Sequence, residues 1–433
     1  MANARMLALR VLMSVEVDKA YANLALVGDK GYETVSGADK ALLTQLVYGA
    51  LSHQLALDYQ LGTLLKHPLA TLPVSIRNIL RLGAYQILYL SRVPDRAAVD
   101  EAVNLARAFG HRGTAGLVNA VLRRLAAQKN ALSWPDERED EALYLAMRHA
   151  HPLFLVRRYL ARLGRHETEQ LLTINNEPPR FCIRVNTLKT SVAVLRDNFS
   201  LLGITSNKGE FVPEVLYPLP TPSFQGDLFL EGHYQVQGEA SAMCGHYMRV
   251  EPRQKVVDLC AAPGGKTTHL ATLMGNQGEV LAFDQNSKRL RLVDENARRL
   301  GLSCITTHAL PALRAHEVVS DADRVLLDAP CTGFGVLRHK PDIRLNRQEQ
   351  DIFAMRDLQR NLIIGAADLV APGGILVYSV CTTEPEETEE IVDYLLAMRE
   401  EFSPLNSLWG RYFWPHRHNI DGFFIVALER KVN

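Results

Sequence analysis

The sequence predicts a multidomain protein: an all-α N-terminal domain, a small α+β middle module, and a C-terminal α/β doubly wound sheet. Three observations carry this. Apolar residues over the first 130 positions recur at helical spacing only. Between 151 and 232 a helical stretch gives way to alternating apolar positions. From 255 onward, apolar strands alternate with helical segments, the mark of a parallel sheet covered on both faces. The 433 residues, 47% hydrophobic and 22% charged, can build that many cores.

In residues 1–130, Leu117, Val118, Val121, Leu122 and Leu125 share one helix face, as do Ile76, Leu80, Gly83 and Ile87. Pro94 and Asp95 mark a helix start. Residues 51–130 carry ten Lys/Arg against four Asp/Glu, although the whole chain has a formal net charge of zero. This excess suits an RNA-facing surface, and equally a set of solvated helix faces. Trp134-Pro135 and the acidic run after it read as a linker over 131–150. "HPLFLVRRYLARLGRH" (151–166) reads as a basic amphipathic helix ending at Gly164. "RFCIRVNTLKT" alternates Phe181, Ile183 and Val185 as a half-buried strand does, which sets the middle module at 151–232. Residues 233–433 form the last domain, with strands "KVVDLCA", "GEVLAFD", "DRVLLDAP" and "GGILVYSVC".

Several classes are excluded. No run of roughly 18 apolar residues could span a membrane, and Arg5 and Arg10 interrupt the N-terminal apolar positions where a secretory leader would be continuous. The cysteines at 182, 244, 260, 304, 331 and 381 include no CxxC pair, and no histidines cluster at ligand spacing, so neither a disulfide framework nor a metal site is expected. The chain reads as cytoplasmic with reduced thiols. Its neutral balance argues against indiscriminate nucleic-acid binding.

"VVDLCAAPGGKTTHLA" joins the first strand of the large sheet to a helix. Gly264 and Gly265 permit close backbone approach, and the helix start offers free N–H groups. A phosphate-binding P-loop is the weaker reading, because Cys260 stands where that motif wants glycine and Pro263 removes a donor. Asp284 ends the next strand, where a carboxylate accepts from both ribose hydroxyls. The pair favours S-adenosylmethionine or a dinucleotide. In "DAPCTGFG", Asp328 and Cys331 follow the fourth strand of this sheet, and Cys381 ends the fifth. Buried, inert cysteine is the reading for Cys182, Cys244, Cys260 and Cys304; the strand ends point to chemistry for the other two.

"DLCAAPGGKTTHLA", "DAPCTGFGVLRHKPDIR" and "VYSVCTTEPEETEEIV" closely resemble the RNA cytosine-C5 methyltransferases. "RVNTLK" (184–189) and "DGFFIVALER" (421–430) fit the same family, and the helical N-terminus resembles the NusB-type RNA-binding domain of the branch that acts on small-subunit ribosomal RNA. The resemblance spans essentially the whole chain. It implies a Rossmann-like class I methyltransferase sheet that binds S-adenosylmethionine through Cys260, Ala261, Ala262, Pro263, Gly264, Gly265 and Lys266, with Asp284 on the ribose and Asp328 nearby. It implies a cytosine in single-stranded or loop 16S rRNA as target, methylated at carbon 5 through a covalent adduct at carbon 6. Cys381 would be the nucleophile, Cys331 would assist release, and Asp328 would sit at the base. Arg184, Asn186, Arg338, Lys340 and Arg344 would contact RNA. The resemblance departs at Ala309, where relatives carry an adenine-binding acid, at Leu345 in place of a common Trp, and at Val380 in place of a common Thr. A monomer is expected. Competing readings are a non-catalytic rRNA assembly factor, a cytosine-C5 methyltransferase acting on another RNA such as tRNA, and a P-loop ATPase.

Overall fold

The helical periodicity at the N-terminus becomes the helices Ala4–Val17, Ala22–Gly28, Gly37–Ser52, Gln54–Gly62, Val74–Tyr89, Asp95–Phe109 and Arg112–Gln128 in a computed structural model that describes residues 4–405 and 411–432. The chain divides into two units, Met1–Pro178 with Leu337–Arg347, and Pro179–Val336 with Gln348–Asn433.

In the first unit, Leu7, Leu46, Ile79, Leu80, Val118, Val121, Leu122 and Leu125 form one buried core. Each such side chain withdrawn from water contributes roughly 1.5–3 kcal/mol. Its basic excess is partly consumed inside. Arg81, 5% exposed, forks onto Asp58 at 2.7 Å and reaches Glu16 at 2.9 Å, and Arg77 also donates to Glu16. Those two cations are therefore structural.

The expected linker over 131–150 belongs to this unit. Trp134 stacks on Tyr59 with centroids 6.0 Å apart, Gln60 donates to the Ser133 carbonyl at 2.7 Å, and Asp140 caps the helix Glu141–Arg148 by accepting from Leu143 N–H. The following helix, Leu153–Ile174, is also part of the first unit. It does not end at Gly164 but bends there, because glycine at φ 72° breaks the regular path and lets the helix resume.

The second unit begins with a four-stranded antiparallel sheet: β1 (Ile183–Val185), β2 (Thr205–Lys208), β3 (Val215–Leu219) and β4 (Tyr234–Val236), in the order β2-β3-β1-β4. The strand β4 lies past residue 232, where the module was expected to end. Leu195 and Phe199 of the helix Val192–Leu201 pack on Ile183, Val185, Leu216 and Tyr234. The large sheet contains β5 (Lys255–Asp258), β6 (Glu279–Phe283), β7 (Ile305–His308), β8 (Ala322–Asp328), β9 (Val370–Val380), β10 (Phe402–Pro404), β11 (Arg411–Phe413) and β12 (Phe423–Arg430). Its order is β10-β12-β9-β8-β5-β6-β7, with β11 beside β12. The strands β5 to β9 pair in parallel as expected. The β10–β12 group is antiparallel, so the sheet is mixed. Apolar side chains from both faces pack into separate cores, one around Leu327, Tyr378 and Ile391, the other around Val256, Leu270 and Ile425.

Candidate active site at the strand ends

The strands β8 and β9 are parallel neighbours, with Asp328 opposite Ser379. This register brings together two short segments fifty positions apart in sequence, and Cys331 Sγ lies 3.4 Å from Cys381 Sγ. Ser379 Oγ donates to Asp328 Oδ1 at 2.8 Å, and Lys266 Nζ donates to Oδ2 at 2.7 Å. The Cys331 thiol is pushed well up by its hydrogen bond to Cys381 and by burial. Either sulfur can donate in this contact. Burial disfavours the Lys266 ammonium, but the Asp328 carboxylate outweighs it and keeps that cation charged.

Two backbone contacts fix the Cys381 side. Gly335 N–H donates to the Cys381 carbonyl at 3.0 Å, and Gly422 N–H donates to the Gly335 carbonyl at 2.8 Å. A Cβ on Gly335 would stand 1.9 Å from Gly422 O, so only glycine allows this crossing. The Cys331 side is held by Glu387, whose carboxylate accepts from Thr332 N–H at 2.9 Å and from Gln359 Nε2 at 3.0 Å. Ser379, Glu387 and Gln359 were not singled out from sequence. Ser379 and Glu387 lie inside the quoted "VYSVCTTEPEETEEIV", but nothing in spacing distinguishes Glu387 from its acidic neighbours.

The cofactor loop leaves β5 after Asp258. That carboxyl is 1% exposed; burial raises its pKa to about 6, against the hydrogen bond it accepts from Thr267 Oγ1 at 2.7 Å. Cys260 to Pro263 turn back toward the helix Gly265–Leu273, and Gly264 sits at φ 100°, where a Cβ would meet Val293 Cα at 3.0 Å. Arg289 donates to the Ala262 carbonyl at 2.7 Å and Asn296 to the Pro263 carbonyl at 3.1 Å, bracing the turn from the next helix. Asp284 follows β6 and accepts from Asn286 N–H through Oδ1, while Oδ2 lies 3.9 Å from Arg289 Nη1. A glycine cradle at a helix start, beside a strand-end carboxylate, fits a nucleoside with a charged tail. Lys266 turns to Asp328 rather than along this cradle. Burial raises the Cys260 and Cys244 thiols, Cys244 to about 12, so both stay neutral. At the end of β7, Ala309 is exposed and supplies no carboxylate, and the preceding His308 stacks on Phe283 with centroids 4.9 Å apart.

Four of the five residues expected on RNA are interior. Arg184 is 0% exposed; it donates to the Gly265 carbonyl at 2.7 Å, to Thr268 Oγ1 at 3.2 Å and to Gln237, propping the start of the cofactor helix. Asn186 donates to the carbonyls of Gly232 and Leu300, both at 2.9 Å. Arg344 donates to the carbonyls of Ser52 (2.9 Å), Ala150 (3.2 Å) and Asn175 (2.6 Å) and to Asn176 Oδ1 (2.6 Å). Arg338 donates to the Pro178 carbonyl at 2.9 Å. A planar guanidinium with five donors suits converging carbonyls as well as it suits phosphates, and sequence cannot separate the two uses. Lys340 is exposed. Leu345 packs against the helical core.

Glu214, His246 and His269 converge from widely separated positions, the only such group among the described residues. Both Nε2 atoms contact the same Glu214 Oε1, at 2.7 and 2.6 Å. Two ligands on a tetrahedral zinc would stand about 3.3 Å apart. The shorter spacing is that of hydrogen bonds, and the cluster is a polar brace between helices and the small sheet.

The family model "16S rRNA methyltransferase RsmB/F" matches residues 246–429, the NusB family model matches 2–127, and the model of the RsmF/B-like ferredoxin-like domain matches 151–219. A probable ribosomal RNA small subunit methyltransferase B of Bacillus subtilis is 35% identical over 445 residues, covering 99% of each chain. Ribosomal RNA small subunit methyltransferase B of Klebsiella pneumoniae is 32% identical over 412 residues, 93% of this chain and 92% of that one. Among solved structures, PH0851 superposes with a TM-score of 0.83 at 29% identity over 98% of both chains. NSun6 from Pyrococcus horikoshii, determined with SFG, gives 0.59 at 25% identity over 64% of this chain and 97% of that one. Among the described residues, no helix is long and apolar enough to cross a membrane.

Proposed function

Since the chain belongs to the RsmB/F family of 16S rRNA methyltransferases and is an S-adenosylmethionine-dependent methyltransferase, we propose that it methylates carbon 5 of a cytosine in 16S rRNA through a covalent adduct on Cys381. The observation that carries this reading is the thiol pair, 3.4 Å apart at the sheet rim where Asp328 also lies.

S-adenosylmethionine would be held by the Cys260–Gly265 loop and Asp284 and would supply an electrophilic methyl group. Carbon 5 of cytosine is a poor nucleophile until a thiolate adds to carbon 6. Cys381 forms that bond, and the displaced ring electron pair settles on N3, which takes a proton relayed from the Lys266 ammonium through the Asp328 carboxylate, 2.7 Å away. Carbon 5, now electron-rich, takes the methyl group. Its own proton then leaves to water, the bonding pair restores the ring double bond, N3 returns its proton to the Asp328–Lys266 pair, and Cys381 departs as a thiolate. Cys331, 3.4 Å from that sulfur, assists its release. The helical segment contributes RNA affinity, consistent with its NusB-family match.

The test is a pair of variants assayed with 16S rRNA. Cys381→Ala should neither methylate nor form an adduct. Cys331→Ala should methylate once and remain joined to RNA on a denaturing gel. Adduct in Cys381→Ala instead reverses the roles, and adduct in neither overturns the covalent route. Bisulfite sequencing of rRNA from cells lacking the protein should show the loss of one 5-methylcytosine in 16S rRNA; an unchanged pattern overturns the substrate.

A further inference from the structure

We propose that Glu387 is a positioning residue for the release half of the reaction: it clamps the turn that carries Cys331 and so controls how fast the covalent RNA complex breaks down. This rests on the covalent reading above. Glu387 closes the short turn Pro385–Glu387 and is 0% exposed. Its Oε2 accepts from Thr332 N–H (2.9 Å) and Gln359 Nε2 (3.0 Å), and its Oε1 accepts from Thr332 Oγ1 (2.5 Å). The same Gln359 Nε2 donates to the Pro330 carbonyl at 2.8 Å. Both chain neighbours of Cys331 are thus tied to one buried acid and its amide partner, and the thiol between them has its position set. Thr332 Oγ1 also lies 3.3 Å from Thr382 Oγ1. Tyr378 on β9 donates to the Glu387 carbonyl at 2.7 Å and fixes the clamp to the sheet.

The choice of an acid here is costly for folding alone. Burial raises the Glu387 pKa to about 7, and the donors around its carboxylate are neutral side chains and one backbone N–H, none of them a cation. An apolar side chain of similar volume would fill the space without that desolvation. Only a carboxylate offers two oxygens that accept exclusively, which three converging donors require. Its neutral isostere, Gln, would point an amide N–H at one of those donors.

The test uses the full-length enzyme with transcribed 16S rRNA and S-adenosylmethionine, comparing first-turnover methyl transfer, steady-state turnover and covalent complex on denaturing gels. For Glu387→Gln, first-turnover transfer should stay within about twofold, while steady-state turnover falls about tenfold and adduct accumulates, in keeping with the loss of one buried hydrogen bond. Thr332→Val should behave alike, and Thr332→Ser, which retains the hydroxyl, should recover turnover. Native turnover without adduct in Glu387→Gln overturns the proposal, as does an equal loss in first-turnover and steady-state rates, which marks a general structural role. Cys331→Ala run in parallel separates the two ideas. If it traps RNA and Glu387→Gln does not, the clamp fails alone; if it traps none, the release reading fails and the clamp with it.

Discussion

Replacing Gly335 by alanine places a methyl group against backbone that has nowhere to go. The added Cβ would lie 1.9 Å from Gly422 O, 2.5 Å from Gly422 C and 2.9 Å from Cys381 O. None of these is the free end of a side chain, so the two segments must separate by more than an ångström. Separation endangers the Gly335–Cys381 and Gly422–Gly335 hydrogen bonds, worth about 1 kcal/mol each. Residual overpacking adds about 1–3 kcal/mol. We therefore expect a loss of about 3–5 kcal/mol in the second unit, read by urea denaturation. Because one of these bonds positions Cys381 itself, first-turnover methylation should fall about a hundredfold even where the variant is folded, the order expected for a 1 Å misplacement. Gly116→Ala is the control. Nothing lies within 4 Å of its Cβ, and it sits inside the helix Arg112–Gln128, so alanine should stabilise it by up to about 1 kcal/mol. A Gly335→Ala protein with native denaturation midpoint and native adduct formation would refute the reasoning.

Other substitutions test separate parts of the structure. Asp284→Ala should weaken S-adenosylmethionine binding by about 1–3 kcal/mol in a calorimetric titration; unchanged affinity removes Asp284 from the cofactor site. Arg344→Met leaves three carbonyls and the Asn176 amide oxygen without their donor, and should cost about 3–5 kcal/mol of stability in the first unit. Weaker RNA binding with an unshifted melt would instead restore Arg344 to the RNA surface. Burial holds the His269 pKa near 4, below its usual 6.5. The unfolded chain then binds more protons than the native one, so this contribution is complete above pH 6.5 and is lost as pH falls toward 4. His269→Gln should be less stable than the native protein at pH 7, with the gap narrowing by about 3 kcal/mol by pH 4; a pH-independent gap would contradict this. Glu214 does not share that window. Burial alone would raise it, but its two histidine partners hold it well below the carboxylate range.

What the sequence made legible was whatever depends on local pattern. Helix faces such as Val118–Leu125, the strand ends at Asp284, Asp328 and Cys381, and the glycine turn at 264–265 are all short-range statements, and each stands where its pattern put it. Most of the failures share a cause, which is that one residue type serves two environments. The alternation around Ile183 marked β1, yet nothing local shows that the Arg184 beside it turns inward to a carbonyl 81 positions away. Trp134-Pro135 has the composition of a linker, but the partner that holds it, Tyr59, is far off in sequence. The antiparallel β10–β12 edge was missed because a strand's direction is set by its neighbour and not by its own residues. Glu387 looked like one acid among several until burial distinguished it from the rest.

The helical unit is assembled from two pieces of chain, Met1–Pro178 and Leu337–Arg347, and this has a consequence in time. During synthesis the first 178 residues leave the ribosome as a body still lacking Arg344, with the carbonyls of Ser52, Ala150 and Asn175 missing that donor. The missing piece is encoded beyond four of the eight strands of the large sheet. At about 5–20 residues per second, it follows roughly ten to thirty seconds later. Through that interval those carbonyls wait for the guanidinium that pairs them in the folded unit. The same discontinuity means that no single cut of the chain yields both units whole.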